Sequence, residues 1–207
     1  MNKQTIPTGA IAANCTILWQ DPGQAVLVDP GADGEELIAF CDAKELTPAA
    51  VLLTHAHFDH IGAVPALLAR WPGLPVHLAP ADEPVFTSPL NCWLPDYPAV
   101  SRPASLVLDL VEGARLDVGG LVFDVLSTPG HTPGSVCFHL AAEHLLIAGD
   151  TLFPGSCGRT DFPGGSPDQM QASLKRLAKL PPETQVICGH GGGTTIAREA
   201  ASNPFMV

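Results

Sequence analysis

Residues 54–60 read Thr-His-Ala-His-Phe-Asp-His, which places His55, His57, Asp59 and His60 almost side by side in the chain. Imidazole and carboxylate together are the donor set for borderline divalent cations such as zinc, iron and manganese. Three further positions share one local pattern, a donor residue close behind an apolar run and next to glycine. They are His131 in Thr128-Pro129-Gly130-His131-Thr132-Pro133-Gly134, Asp150 after Ile147-Ala148-Gly149, and His190 after Ile187-Cys188-Gly189. Glycine beside a ligand lets the backbone turn sharply and approach closely. These residues suffice for two metal ions. His55, His57 and His131 would hold the first, Asp59, His60 and His190 the second, and Asp150 would bridge them. In an extended segment, residues 55, 57 and 59 share one face because the strand period is two, while His60 turns away as a helix begins. His77, His139 and His144 stand alone and read as ordinary surface or core histidines.

The apolar run Ala50-Val51-Leu52-Leu53 predicts a buried strand ending where the ligands begin, a rigid mount for a metal site. Further strands are predicted over 14–19, 25–28, 75–78, 115–117, 121–126, 135–140, 144–148 and 185–188. Asp33 with Glu36 predicts a capping-box helix over about 35–44. A second helix over about 62–70 stops at Trp71-Pro72-Gly73. Ser166-Pro167-Asp168-Gln169 predicts an N-capped helix running to about 179, and a short helix over 194–201 closes the chain. Residues 80–103, rich in proline, read as a long surface loop whose Trp93 and Tyr97 are candidates to line a substrate groove. The element order predicts an α/β fold, a four-layer αβ/βα sandwich of two mixed sheets with helices outside. One domain would span residues 1–207.

The chain has 207 residues and 46 % hydrophobic composition, enough for one substantial core. Its start lacks the apolar segment of a secretory signal, and no apolar run approaches the roughly 18 residues of a membrane span. Six cysteines are scattered without a Cys-x-x-Cys pair. These features predict a cytoplasmic protein with no membrane partner. A net charge of −11, with 10 Lys+Arg, leaves no basic patch and argues against a nucleic-acid partner. An anionic substrate would depend on the metals and on few placed cations. Arg159 is the candidate, because a guanidinium suits a carboxylate bidentately, and a structural pair with Asp161 or a loop carbonyl is the preferred alternative. Cys157 has no assignable base and is not read as a nucleophile. Oligomeric state is left open.

The ordered set His55-Ala56-His57-Phe58-Asp59-His60, His131, Asp150 and His190 resembles the metallo-β-lactamase superfamily over essentially the whole chain. That resemblance implies the same four-layer fold and a dinuclear metal site. Asp150 at the bridging position is similar to glyoxalase II-like hydrolases, lactonases and persulfide dioxygenases rather than to the true β-lactamases. The RNA-processing members carry extra motifs and basic surface not found here. The stretches Gly149-Asp150-Thr151-Leu152-Phe153 and Gly158-Arg159-Thr160-Asp161-Phe162-Pro163-Gly164-Gly165-Ser166 look like the short single-domain bacterial glyoxalase II (hydroxyacylglutathione hydrolase) group. So does the ending Gly189-His190-Gly191, Thr194-Thr195-Ile196, Glu199 and Asn203-Pro204-Phe205. The short stretch after His190 implies that the helical glutathione-gripping domain of classical glyoxalase II is missing.

The implied reaction is hydrolysis of a glutathione thioester of the S-lactoylglutathione type to glutathione and a hydroxy acid, as in methylglyoxal detoxification. Two divalent ions, zinc first with iron or manganese as alternatives, would acidify the attacking water, and Asp59 would orient it. Two departures keep alternatives open. Cys188 stands where that group often has proline. Cys157 precedes Gly158-Arg159-Thr160-Asp161-Phe162 as in persulfide dioxygenases, which hold a single iron through the equivalents of His55, His131 and Asp150. A lactone or other ester is a further possible substrate class. The Gly189-His190-Gly191 context favours the hydrolase.

Overall fold

Alternate residues along the central strands face two different apolar cores, and this alternation sets the layer order. The structure, a computed structural model, describes residues 1–20, 23–92, 94, 97 and 99–206. The first half contains β1 (Asn2–Thr8), β2 (Ala13–Gln20), β3 (Gln24–Val28), α1 (Gly34–Ala43), β4 (Thr47–Leu52), α2 (Phe58–Ile61), α3 (Val64–Arg70), β5 (Val76–His77), α4 (Glu83–Phe86) and β6 (Leu106–Val107). Its six strands form one sheet in chain order, antiparallel from β1 to β3 and parallel from β3 to β6. The second half contains β7 (Arg115–Val118), β8 (Leu121–Ser127), β9 (Val136–Leu140), β10 (Leu145–Gly149), the hairpin of β11 (Leu152–Phe153) and β12 (Ser156–Cys157), α5 (Pro167–Leu177), β13 (Gln185–Cys188), β14 (Thr194–Thr195) and α6 (Ile196–Ser202). Its main sheet runs β14-β13-β10-β9-β8-β7, with β10 and β13 parallel.

Ala25, Leu27 and Val51 pack with Leu37, Cys41 and Leu67 of the helices on one side. Their neighbours Val26, Val28, Ala50 and Leu52 turn to the opposite side and meet Phe123, Val125, Phe138 and Ile147 of the other sheet. On that sheet, Leu146 and Ala148 face away and pack on Met170, Leu174, Leu177 and Ile196. Period-two alternation thus generates three cores and four layers, helix–sheet–sheet–helix. The two mixed sheets with helices outside are the predicted architecture. Phe123 and Phe138 sit edge to face in the middle core, 6.1 Å between ring centroids. Truncating either to alanine should cost about 3–5 kcal/mol.

Several local features differ from the sequence expectations. Strand β1 was not anticipated, because its Asn-Lys-Gln-Thr sequence at a sheet edge carries little apolar signal. Asp33 does not cap α1. It adopts a left-handed conformation (φ 54°), and its carboxylate accepts from Gly9 N at 2.7 Å instead. The helix expected over 62–70 is two helices, and the first, α2, begins at Phe58 inside the histidine cluster. The 80–103 segment is not all loop, since it holds a 3-10 turn over Pro80–Asp82 and α4. In α5, Ser166 Oγ accepts from Gln169 N as the capping pattern predicts. Among the described residues, no helix is long and apolar enough to cross a membrane.

Candidate metal centre

The seven donor residues all follow the C-terminal ends of strands, at the edge where the two sheets meet. His55, His57, Asp59 and His60 come after β4, His131 after β8, Asp150 after β10 and His190 after β13. Backbone bonds tie the sheets together at this edge. Val136 N donates to Thr54 O at 2.8 Å, and Asn14 N donates to Gly189 O at 2.7 Å. Asn14 Nδ2 also donates to Cys188 O and Gly191 O, so strand β2 fastens the His190 turn. A Cβ at Gly189 would collide with Asp150 Oδ1, which explains the glycine there.

Two triads result, each with ligand atoms within 4.8 Å of one another: His55, His57 and His131, and Asp59, His60 and His190. Asp150 lies between them. Its Oδ2 is 3.6 Å from His131 Nε2 and 3.7 Å from His190 Nε2, and its Oδ1 is 3.5 Å from His60 Nε2. The grouping matches the sequence expectation, but the reason for Asp59 differs. Asp59 is not on an extended face with His55 and His57. It lies in the first turn of α2, after His57 as N-cap, and the helical turn swings it to His190 Nε2 at 3.2 Å.

Hydrogen bonds behind the triads set which nitrogen faces inward. His131 Nδ1 donates to Arg159 O at 2.8 Å, and His190 Nδ1 to Ile11 O at 3.1 Å. His60 Nδ1 donates to Asp29 Oδ2 at 3.0 Å. Thr54 Oγ1 gives its own proton to Asp29 Oδ2 at 2.6 Å, so at 3.1 Å it can only accept from His55 Nδ1. In four of the five histidines Nε2 is therefore the nitrogen directed into the centre, as outer hydrogen bonds do for metal ligands. His57 is reversed, with its Nδ1 2.9 Å from His131 Nε2.

The donor set fits a cation. His55 Nε2, His60 Nε2 and Asp150 Oδ1 are buried without a hydrogen-bond partner, a costly arrangement that ions between them would relieve. The two triads differ electrically. Burial, with His131 alongside, pushes His57 down to about 3, and burial and the neighbouring histidines also hold His55 low. Burial would lower His60 too, but Asp59 and Asp29 outweigh it and lift it to about 10. Burial opposes ionisation of Asp59, yet His60 and the bond from His190 hold it at about 2. His190 is likewise raised against its burial, chiefly by Asp59.

Two supporting carboxylates were missed in the sequence. Asp29 is 2 % exposed and accepts from Thr54 N, Thr54 Oγ1 and His60 Nδ1. Its context, Val28-Asp29-Pro30-Gly31, puts a carboxylate directly after a strand and beside proline, a strand-end pattern that could have found it. Asp82, fully buried, accepts from Ala56 N, Thr132 Oγ1 and Gly134 N, and so clamps the two loops of the first triad together. Asn91 adds a second tie, accepting from Phe58 N and donating to Ala56 O. Nothing local marks Asp82 or Asn91, which lie in the proline-rich segment far from their partners in sequence.

The predicted substrate contacts fare differently. The Arg159 fork is taken by Asp161 at 2.7 and 2.8 Å and stacks on Phe162, so its carbonyl rather than its guanidinium serves the centre. Tyr97 is 2 % exposed, packs edge-on against Phe58 with its hydroxyl against Gly9, and lines a cavity with Gly9, Asp33 and Gly62 that includes none of the seven donors. Trp93 lies outside the described residues. Cys157 is raised by burial, in keeping with an inert thiol.

A four-layer α/β sandwich with a His/Asp metal-binding cluster at the sheet junction defines the class of protein. A sequence model of the metallo-beta-lactamase superfamily matches residues 8–190, and the chain belongs to that superfamily. It is 38 % identical to the probable metallo-hydrolase YqgX of Bacillus subtilis, over 100 % of this chain and 98 % of that protein. It is 34 % identical to hydroxyacylglutathione hydrolase GloC of Haemophilus influenzae, over 100 % and 98 %. Among solved structures, BLEG-1 B3 metallo-beta-lactamase superposes with a TM-score of 0.91 at 41 % identity, covering both chains fully. TTHA1623 in a di-iron-bound form gives 0.83 at 43 %, over 98 % of this chain and 99 % of that one. ETHE1 from Myxococcus xanthus gives 0.77 at 31 %, over 99 % and 84 %. The chain is a hydrolase-class member of this superfamily with a metal-binding His/Asp centre.

Proposed function

We propose that this chain hydrolyses a glutathione thioester of the S-lactoylglutathione type to glutathione and a hydroxy acid. The supporting observation is a pair of facing triads with Asp150 between them, in a chain similar over nearly its whole length to a protein named hydroxyacylglutathione hydrolase. His55, His57 and His131 would hold one divalent ion and Asp59, His60 and His190 a second, with Asp150 bridging. Zinc is the first choice, and the di-iron form of a 43 % identical structure makes iron the next. Bound there, such ions supply Lewis acidity, lowering the pKa of water and polarising a carbonyl.

The chain's own residues do the rest. Asp59, held as a carboxylate, accepts a hydrogen bond from the attacking water and keeps its lone pair aimed at the carbonyl carbon. The C–O bond forms first, the C–S bond of the adduct then breaks with the electron pair leaving on the thiolate, and the proton of the attacking water passes to solvent. A thiolate needs no dedicated general acid.

A second reading, a mononuclear iron persulfide dioxygenase, draws on the likeness to ETHE1 and on the Cys157–Phe162 stretch. The test offers purified, metal-analysed protein S-lactoylglutathione, glutathione persulfide and a chromogenic β-lactam in parallel, with oxygen uptake recorded. Free glutathione without oxygen uptake is expected. Sulfite with oxygen uptake, or turnover of the β-lactam alone, would overturn the proposal.

A further inference from the structure

Beside His57, between the 80–91 segment and the 158–163 loop, lies a cleft of about 510 Å³. Its walls are Pro84, Val85, Leu90, Phe162 and Pro163, and His57 belongs to its lining. Leu90 is 77 % exposed, more than any other large hydrophobic residue of the described chain. Such exposure has no packing explanation, and an apolar surface continuous with a catalytic centre is a place for ligand.

Besides His57, the two polar residues of the lining already have hydrogen-bond partners. Asn91 accepts from Phe58 N and donates to Ala56 O, and Ser88 Oγ accepts from Leu90 N at 3.2 Å. Among the described residues, no lysine or arginine lines the cleft. The nearby guanidiniums are held elsewhere, Arg159 by Asp161 and Arg102 by Glu83 at 2.6 Å. A glutathionyl moiety carries two carboxylates and an ammonium, and this wall offers those charges nothing. An alkyl chain fits it.

We infer that this cleft takes the acyl side of the substrate, and that the enzyme prefers thioesters whose acyl group is an apolar chain of several carbons over the short, hydroxylated lactoyl group. The inference rests on the thioester-hydrolase reading and names the substrate class of that same centre. With the carbonyl at the triads, the acyl chain runs past His57 and leaves water against Val85, Leu90 and Phe162. Each methylene fully removed from water is worth about fourfold, and an open cleft gives part of that.

The test compares S-acetyl-, S-lactoyl- and S-hexanoylglutathione by kcat/KM, and S-methyl- and S-hexylglutathione, thioethers that cannot be hydrolysed, by Kd. The expected result is at least about a tenfold preference for hexanoyl over acetyl and lactoyl, matched by tighter binding of S-hexylglutathione. Leu90→Ser, at a site too exposed to endanger folding, should reduce both preferences about threefold to tenfold. Cleavage of all three thioesters at equal efficiency, or a hexanoyl preference untouched by Leu90→Ser, would overturn the cleft assignment and leave the hydrolase reading standing. Tight S-hexylglutathione binding with no thioester cleaved would support the cleft and defeat the hydrolase reading. Neither binding preference nor cleavage would defeat both.

Discussion

The two triads share Asp150 and a sheet edge, yet they are built on opposite electrical plans. His55, His57 and His131 are held by Asp82 across two loops, and burial with the neighbouring histidines pushes His55 and His57 towards the unprotonated state. Asp59, His60 and His190 form an ion-paired group, with His60 lodged among Asp29, Asp59 and Asp150. The first presents imidazoles of which His57 Nδ1 and His131 Nε2 share a hydrogen bond. The second already satisfies much of its charge with protons. A divalent ion entering the first site replaces that bond, whereas one entering the second competes with a proton. The comparison predicts two unequal sites.

The sharpest way to break it is to remove a ligand from one side. His60→Ala should retain the first ion, lose the second and lower thioester hydrolysis by at least about 100-fold, beyond the 10–100-fold typical of an outer partner. Metal analysis alongside kinetics checks this, and full activity with the second ion absent would mean the second triad is not used. Asp82→Ala should act on the other side. It strands Ala56 N, Thr132 Oγ1 and Gly134 N, and affinity for the first ion should fall about 10–100-fold, with the second little changed. Competitive chelator titration separates the two.

Acid and base should also split the triads. His57, depressed to about 3 from 6.5, favours folding above pH 6.5, and that contribution is lost as pH falls towards 3. His60, raised to about 10, favours folding below pH 6.5, and that contribution is lost as pH rises through 10. The Tm of metal-free protein should therefore peak near pH 6.5 and fall on both sides, as scanning calorimetry after chelation would show. A Tm that climbs steadily from pH 6.5 to 10 would contradict the second half. The smallest effect is expected outside the triads. Arg159→Ala should raise KM less than about tenfold, because Asp161 already holds the guanidinium, and a substrate carboxylate depending on it would cost more.

Much of this centre was legible in the sequence because its donors sit beside strand ends and glycines, where local pattern and three-dimensional position coincide. The seven residues and their division into triads follow from that. The four layers were legible for a similar reason, since Val26 and Leu27, or Ala50 and Val51, are apolar neighbours that must face different cores. What was not legible depends on contacts between distant segments. Asp82 and Asn91 gain their role only when the 80–103 segment folds against residues 56–58 and 132–134. Arg159 had two readings in the sequence, a substrate-carboxylate contact and a pair with Asp161, and the structure shows the pair. Asp59 lies beside His190 but not on an extended face with His55 and His57, because α2 starts earlier than its apolar pattern suggests.

The most direct measurement is calorimetric titration of metal-free protein with zinc at pH 8, repeated in buffers of different ionisation enthalpy. Two resolved steps are predicted, the weaker one releasing about one proton more than the tighter one. A single step, or two steps releasing equal numbers of protons, would contradict the unequal pair of sites.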